Sequence, residues 1–501
     1  MKYRRTLCLF LALLMLTSVS LVACGGGDEK DPASTSSGAG TDPSGTPVTD
    51  APVPETEPPD PDTVHDLPDD LDFEGADFVM YAWSSYRSLR NEWVGETLSD
   101  AQYDVKRSTE ELLNVNITEM LGGETVDGLS IDNYYYSGDT EVQVWMTYDR
   151  DAFKTALEGY YTPLGHTKYI DTAKKYWSPA ITDRLSVGGD DLLVSGSFQL
   201  NAFTVAGCIF MNLGVAENVN AEVPYDLVKE GKWTFDALAQ YNGLAFYDVD
   251  GDGVITPDDS TTFGSSDHRH TTLNFMSAAN VPFMDKDAEN YPVITAFGNE
   301  KLIDVLDWVK AMFFNPATSV ASKADMDSMV TVSMFTHDRQ LFLLGTLNDM
   351  RGYLIDMDSV YAVFPYPKYN EDQENYVTRT QDNVFPMLAN YVENEDMDSA
   401  VLEAMSAYAY QHLLPALVEI SLQKRYNNDP RSVENIQLVF DTRVIELSDI
   451  MLWDEFGDTG LWRLMYKDQP FASWLASIQS KAEGKLDGYI EDIQDYFKYL
   501  A

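Results

Sequence analysis

Apolar and polar positions change their rhythm several times along this chain. Leu7 through Leu16 carry hardly a polar side chain, and residues 25–70 carry hardly a large apolar one. From about residue 72 short apolar runs alternate with helical periods. Phe78-Val79-Met80-Tyr81-Ala82-Trp83 reads as a buried strand. Ser99-Asp100 then reads as the cap of a helix in which Val105, Thr109, Leu112 and Leu113 share a face. Val115 to Met120 and Glu141 to Thr147 read as further strands, with a helix from about Asp151. Leu302, Val305, Leu306 and Val309 mark another helix, and Gln340–Leu347 and Ser359–Phe364 another two strands. From Met397 helical spacing dominates, ending in Leu475, Ile478, Ala482, Leu486, Ile490, Ile493 and Phe497. Strand-helix-strand order predicts an α/β fold. Residues 71–501 exceed one ordinary core, so two domains are expected.

The opening apolar run follows Lys2, Arg4 and Arg5 and is shorter than the roughly 20 residues of a transmembrane helix. It reads as a secretory signal peptide over residues 1–23. Its ending, Leu21-Val22-Ala23-Cys24, resembles the bacterial lipobox. That resemblance implies diacylation of Cys24 and a location on the outer face of a cytoplasmic membrane. Two acyl chains anchor stably where one does not. Residues 24–70, rich in Gly, Ser, Thr, Pro and acids, read as a disordered tether.

The sequence holds 81 acidic residues against 34 Lys and Arg, a formal charge of -47. A nucleic-acid partner is excluded, because phosphate binding needs a basic surface. The overall field also disfavours anionic substrates, unless a local basic pocket overrides it, and suits a neutral sugar or a cation. Cys8 leaves with the signal peptide and Cys24 is the lipidation site, so the mature domain has no disulfide partner for Cys208. Cys208 lies in the apolar run Val205–Phe210 and reads as a buried, inert thiol.

Metal chemistry is explicit in one segment. Asp248, Asp250, Asp252, Thr256 and Asp259 fall at positions one, three, five, nine and twelve of an EF-hand loop. Gly253 stands at the sharp turn, and the Val254 carbonyl would be the seventh-position ligand. Asp259 replaces the usual Glu, and its shorter arm reaches less easily for bidentate binding. The loop is single, whereas calcium sensors open a helix pair, so one structural calcium ion is expected. His268 and His270 alternate in a polar stretch and read as solvent-facing. No Gly-x-Ser-x-Gly elbow, His-Glu-x-x-His pair or phosphate-binding Gly-rich loop is present, and no enzyme activity is expected.

Pro224-Tyr225-Asp226-Leu227-Val228-Lys229-Glu230-Gly231-Lys232-Trp233-Thr234 closely resembles a segment of the extracellular solute-binding proteins of ABC transporters, family 1-like and carbohydrate-binding. Gly95 to Ala101, Met350-Arg351, Phe364 to Tyr369, Val401 to Met405, Lys424 to Asp429 and the calcium-type loop before Phe263-Gly264 resemble other parts of it, in the family's order. The resemblance implies a two-lobe periplasmic-binding-protein-like fold of type II, with a hinge and extra C-terminal helices. It implies capture of a small solute, a sugar or oligosaccharide, and its delivery to an ABC permease. Lobe one would span 72–203 with 378–412, and lobe two 204–377 with 413–501. The interlobe crossings would lie near Asn201 to Phe210, Val377 to Asn383 and His412 to Pro415.

Open α/β sheets bind ligands at strand carboxyl ends. Those loops, with the return crossing, offer Ser84, Tyr86, Thr147, Tyr148, Asp149, Arg150, Asn348, Asp349, Thr380, Gln381 and Asp382 as candidate ligand-binding residues. Rings for stacking and planar polar groups for hydroxyls are what a sugar needs. Trp453 and Trp462 fit either a stacking role or the core. Competing readings are a surface lipoprotein enzyme acting on glycans and a calcium-stabilised adhesion module.

Overall fold

The computed structural model describes residues 60–83, 87–122, 131–252, 256–313, 328–423, 430–457, 461–465, 467 and 469–500. The signal peptide, Cys24, most of the tether, Ser84, Tyr86, Gly253, Val254 and the 424–429 segment lie outside these residues. Residues 60–67 lie against the folded body although the sequence reads as tether there. Lys174 Nζ donates to the Pro61 carbonyl at 3.0 Å and pairs with Asp66, and Leu67 is buried. Lys175 on Asp60, Gln411 on the Thr63 carbonyl and His65 against Tyr408 add to these contacts and dock a segment whose composition alone reads as unstructured.

Thirteen strands run in chain order: β1 (Ala76–Trp83), β2 (Val115–Gly122), β3 (Val144–Tyr148), β4 (Tyr161–Thr162), β5 (Gly207–Asn212), β6 (Thr261–Ser265), β7 (Met284–Lys286), β8 (Pro292–Ile294), β9 (Gln340–Thr346), β10 (Tyr361–Phe364), β11 (Thr378–Arg379), β12 (Val384–Ala389) and β13 (Arg443–Val444) among the described residues. A first sheet has the order β2-β1-β3-β12-β4 and a second β10-β5-β9-β6. β1 and β2 are parallel, with Phe78 opposite Ile117. β12 inserts antiparallel beside β3, with Phe385 opposite Thr147. In the second sheet β6 and β9 are parallel, with Phe263 opposite Phe342, and β5 is antiparallel to β9. β5 is buried along its whole length, and Cys208 is a free buried thiol within it. A strand covered on both faces needs the continuous apolar run its sequence shows.

The chain therefore leaves the first sheet after β4, builds the second, and returns through β11 to place β12 in the first. The crossings touch: Ala206 bridges Thr380. β11 also pairs with β13, so the later helical segment is tied to the return crossing.

Helix Thr97–Leu113 buries Leu98, Ala101, Val105, Thr109 and Leu113 and stops at Asn114, whose φ of 49° lies in the left-handed region. Its N-cap is Glu96, not Ser99-Asp100. Asp100 instead accepts from the Val94 and Gly95 N–H groups at 2.8 and 3.1 Å, fixing the loop that enters the helix. Helix Glu395–Tyr408 packs on Thr97–Leu113, as does Leu414–Gln423, whereas Pro430–Asp441 packs on β10. The last helix, Phe471–Leu500, touches helices from both sides of the molecule, Glu300–Phe313 and Asp149–Leu157. No helix among the described residues is long and apolar enough to cross a membrane.

Candidate functional site

The parallel strands of both sheets end at one place. β1 and β2 lead out at Trp83 and Gly122, and β6 and β9 at Ser265 and Thr346. A cavity of about 650 Å³ lies there. The first-sheet side supplies Arg87, Arg90 and Gln102, the second-sheet side Ser266, Asp267, Asn348, Asp349, Arg351 and Tyr353, and the crossings Asn201, Thr204, Gln381 and Asp382.

Four candidate residues from the sequence, Asn348, Asp349, Gln381 and Asp382, line this cavity. Asp349 follows β9 in the short turn Leu347–Met350. Its carboxylate accepts from Ser266 Oγ at 2.6 Å and the Thr346 N–H at 3.0 Å, joining the ends of β6 and β9. Burial pushes Asp349 up to about 6, against the pull of those donors. Gly345 is required beside it, because a Cβ there would overlap the Asp349 carboxylate. Asp382 sits at φ 49° and accepts from the Tyr148 hydroxyl.

The β3 residues form a neighbouring cluster. Trp83 stacks on Tyr148 at 6.2 Å with planes 10° apart. The Arg150 guanidinium lies 4.9 Å from the Tyr148 ring centroid and 4.8 Å from that of Trp453. Burial, then the Asp149 charge, raises the Tyr148 phenol. Asp149 is buried, and its carboxylate accepts from the N–H groups of Arg150 at 2.8 Å and Asn383 at 3.2 Å. Burial pushes it up to about 7, with Arg150 opposing. Asp149 thus joins β3 to the return crossing and is not on the cavity lining. Thr147 is directed to Trp145 and Tyr161, and Thr380 is fully buried with its hydroxyl on the Val444 carbonyl at 3.3 Å.

His270 corrects the expectation of solvent exposure. It is buried near the start of helix His268–Ala278, stacks on Trp453 at 5.5 Å, and its Nδ1 accepts from Arg379 at 3.1 Å. Burial, then the Arg379 charge, holds it well below the usual imidazole range. Helical periodicity turns one of the two alternating histidines into the core. Trp453 is mostly buried, and the side chain of Trp462 lies outside the described residues.

Arg87, Arg90, Gln102, Ser266, Asp267, Arg351 and Tyr353 were not among the sequence candidates. Their signal was present: Arg87 follows Tyr86 in the loop after β1, and Arg351 follows Asn348-Asp349 by two residues. They lie in or beside the same loops as the sequence candidates.

At the other candidate site, carboxylate oxygens of Asp248, Asp250 and Asp252 lie within 4.8 Å of one another. At Asp250 the Asp252 N–H pulls the pKa down, but desolvation and the Asp252 and Asp248 charges outweigh it and the net shift is upward. Three converging hard oxygens fit a divalent cation. Asp259 is outside this cluster. It accepts from the Val249 N–H at 2.8 Å and the Thr256 N–H at 2.6 Å, closing the loop.

No family model and no curated protein matches the sequence. Solved structures do. UspC of M. tuberculosis aligns with a TM-score of 0.55 at 13% identity, over 82% of this chain and 100% of its own. The maltose-binding periplasmic protein MalE of Listeria monocytogenes, in complex with maltose, gives 0.53 at 12%, over 85% and 98%. UgpB from Mycobacterium tuberculosis, in complex with glycerophosphocholine, gives 0.53 at 14%, over 83% and 99%. The fold is therefore the two-lobe α/β architecture of these binding proteins, and the cavity lies between the sheets of its lobes.

Proposed function

We propose that this chain is a family 1-like extracellular solute-binding protein of an ABC transporter, a binding protein and not an enzyme, whose solute is a sugar or oligosaccharide. The cavity between the strand ends carries the reading: it is large enough for a small saccharide and lined by the planar polar groups of Asn348, Gln381, Asp382 and the arginines, with the Tyr353 ring beside them. Structures of the same fold that hold maltose and maltotetraose support it.

The mechanism follows from two-state closure. A solute touching both lobes stabilises the shut form by its differential affinity, and a permease recognises that form. Ala206 and Thr380, paired where the crossings meet, are the flexing point. Cys24 holds the protein to the outer membrane face through diacylation, with residues 25–59 as spacer. The loop at 248–259 holds one calcium ion through Asp248, Asp250 and Asp252, with Val254, Thr256 and Asp259 completing the EF-hand order, and serves as a structural staple.

Thermal-shift measurements on the protein with calcium present, against saccharides, amino acids, peptides and polyamines, test the reading. A solute at a hundredfold excess over its Kd contributes about 2.7 kcal/mol, enough to raise the melting temperature by a few degrees. A response to one saccharide class without its turnover is the expected result. A saccharide that is cleaved, or a response confined to peptides or polyamines, overturns it.

A further inference from the structure

Three arginines line the cavity of a chain in which acids outnumber bases 81 to 34. Arg87 and Arg90 come from the loop after β1, and Arg351 from the turn after β9. Among the described residues none of the three forms an ion pair, and the one bond to a guanidinium is Arg90 Nε to Gln102 Oε1 at 3.4 Å. The cavity carboxylates, by contrast, have partners. Asp349 is held by Ser266 and Thr346, and Asp382 by the Tyr148 hydroxyl. Asp267 caps a helix at the Arg269 N–H and pairs with the Arg269 guanidinium at 3.5 Å.

The arginine-bearing segments are also braced. Gln102 donates to the carbonyls of Arg87 and Ser88 at 3.2 and 3.0 Å. Glu119, the carboxylate that feels the charges of Arg87 and Arg90, accepts from the Ser88 and Leu89 N–H groups at 2.7 and 3.3 Å. Its oxygens thus hold backbone and leave the guanidiniums to the cavity. Arg351 is depressed by burial and then by the Arg90 charge, so these two arginines feel each other across the cleft. Like charges held together in a partly desolvated site are costly unless an anion joins them, and guanidinium forks suit carboxylate, phosphate and sulfate oxygens.

Resting on the saccharide reading above, we infer that the solute is an acidic saccharide, a uronate or a phosphate or sulfate ester, whose anionic group sits among Arg87, Arg90 and Arg351. The lining also holds Asp267, Asp349 and Asp382, but protein donors engage those carboxylates, so the guanidiniums are the charges left to meet the solute.

Calorimetric titration of the full chain distinguishes the cases. Probes are pectin, hyaluronan and chondroitin sulfate digests, sugar 6-phosphates, neutral malto-, xylo- and galacto-oligosaccharides, and the non-sugar anions glycerol 3-phosphate and citrate. The expected result is binding of one acidic saccharide class that weakens as NaCl rises, and by about tenfold or more in Arg351→Gln. Arg90→Gln is the second variant, and unchanged melting temperatures certify both folds. Neutral oligosaccharides that bind wild type and Arg351→Gln alike overturn the inference and leave the saccharide reading standing. Glycerol 3-phosphate or citrate binding through Arg351, with every saccharide silent, keeps the anionic group and refutes the saccharide. Silence from every acidic probe overturns the inference.

Discussion

At the scale of single residues, buried carboxyls divide into those that hold something and those that hold nothing. Asp149 holds the Asn383 N–H and so the return crossing. Asp149→Ala leaves that buried donor without its acceptor and is expected to cost about 1–3 kcal/mol in denaturant unfolding; wild-type stability in the variant would remove the role. Asp398 is fully buried in helix Glu395–Tyr408, and both its oxygens lack a hydrogen-bond partner among the described residues. Burial, then the neighbouring Glu395, pushes it up to about 7. The folded state then binds more protons than the unfolded state between about pH 4 and 7, so this group's contribution falls as pH rises through that window. Asp398→Asn removes the titration. Its stability advantage over wild type is expected to grow from pH 4 to 7 and level off at roughly 2–4 kcal/mol above it. A difference flat in pH would show that Asp398 does not titrate there. The sequence located the Asp149 loop by its place at a strand end, but an acid that lines a cavity and one that clamps backbone look the same in sequence. Only the pairing of β3 with β12, residues more than two hundred apart, separates them.

Elements were legible where one physical signal dominates. β1, β2 and the Thr97–Leu113 helix lie close to where apolar periodicity put them, because burial on a known face sets that period. The cap of that helix was misplaced, because Asp100 serves the preceding loop instead. The segment at 248–259 is legible for a different reason: ligand spacing is chemistry written along the chain. Its Asp248, Asp250 and Asp252 carboxylates repel one another until a cation joins them, while Asp259 already closes the loop on Val249 and Thr256. If the loop binds calcium as a staple, adding the ion to chelated protein raises the melting temperature, and Asp250→Asn abolishes the rise. Solute affinity measured with and without chelator then changes little, since the loop precedes β6 at the end opposite Ser265 and the cavity. Identical melting with and without calcium would dismiss the ion, and a large loss of affinity would dismiss the staple.

At the scale of the whole molecule the arginines sit on opposite sides of the cleft, Arg87 and Arg90 with the first sheet and Arg351 with the second. On the inference above, their mutual repulsion is the part of the field across the cleft that opposes closure, against the attraction of Asp267 and Asp349 for Arg87 and Arg90, and a bound anion would reverse its sign. Ligand specificity and the conformational switch would then be one interaction, because the solute that joins the arginines is the one that favours closing. The net charge of -47 does not by itself decide the charge of the solute, because a cavity responds to charges within a Debye length, about 8–10 Å at ordinary salt, and not to the sum over the surface. Small-angle scattering tests the coupling. The radius of gyration of the ligand-free protein at low salt is expected to fall when acidic solute is added. It is also expected to fall, without solute, in Arg351→Gln, and in wild type at about 1 M salt, where the Debye length is about 3 Å. The tail contributes equally to every sample, so the differences report the cleft. Compaction by solute alone, with the variant and the salt series unchanged, would leave closure intact and show that arginine repulsion does not govern it.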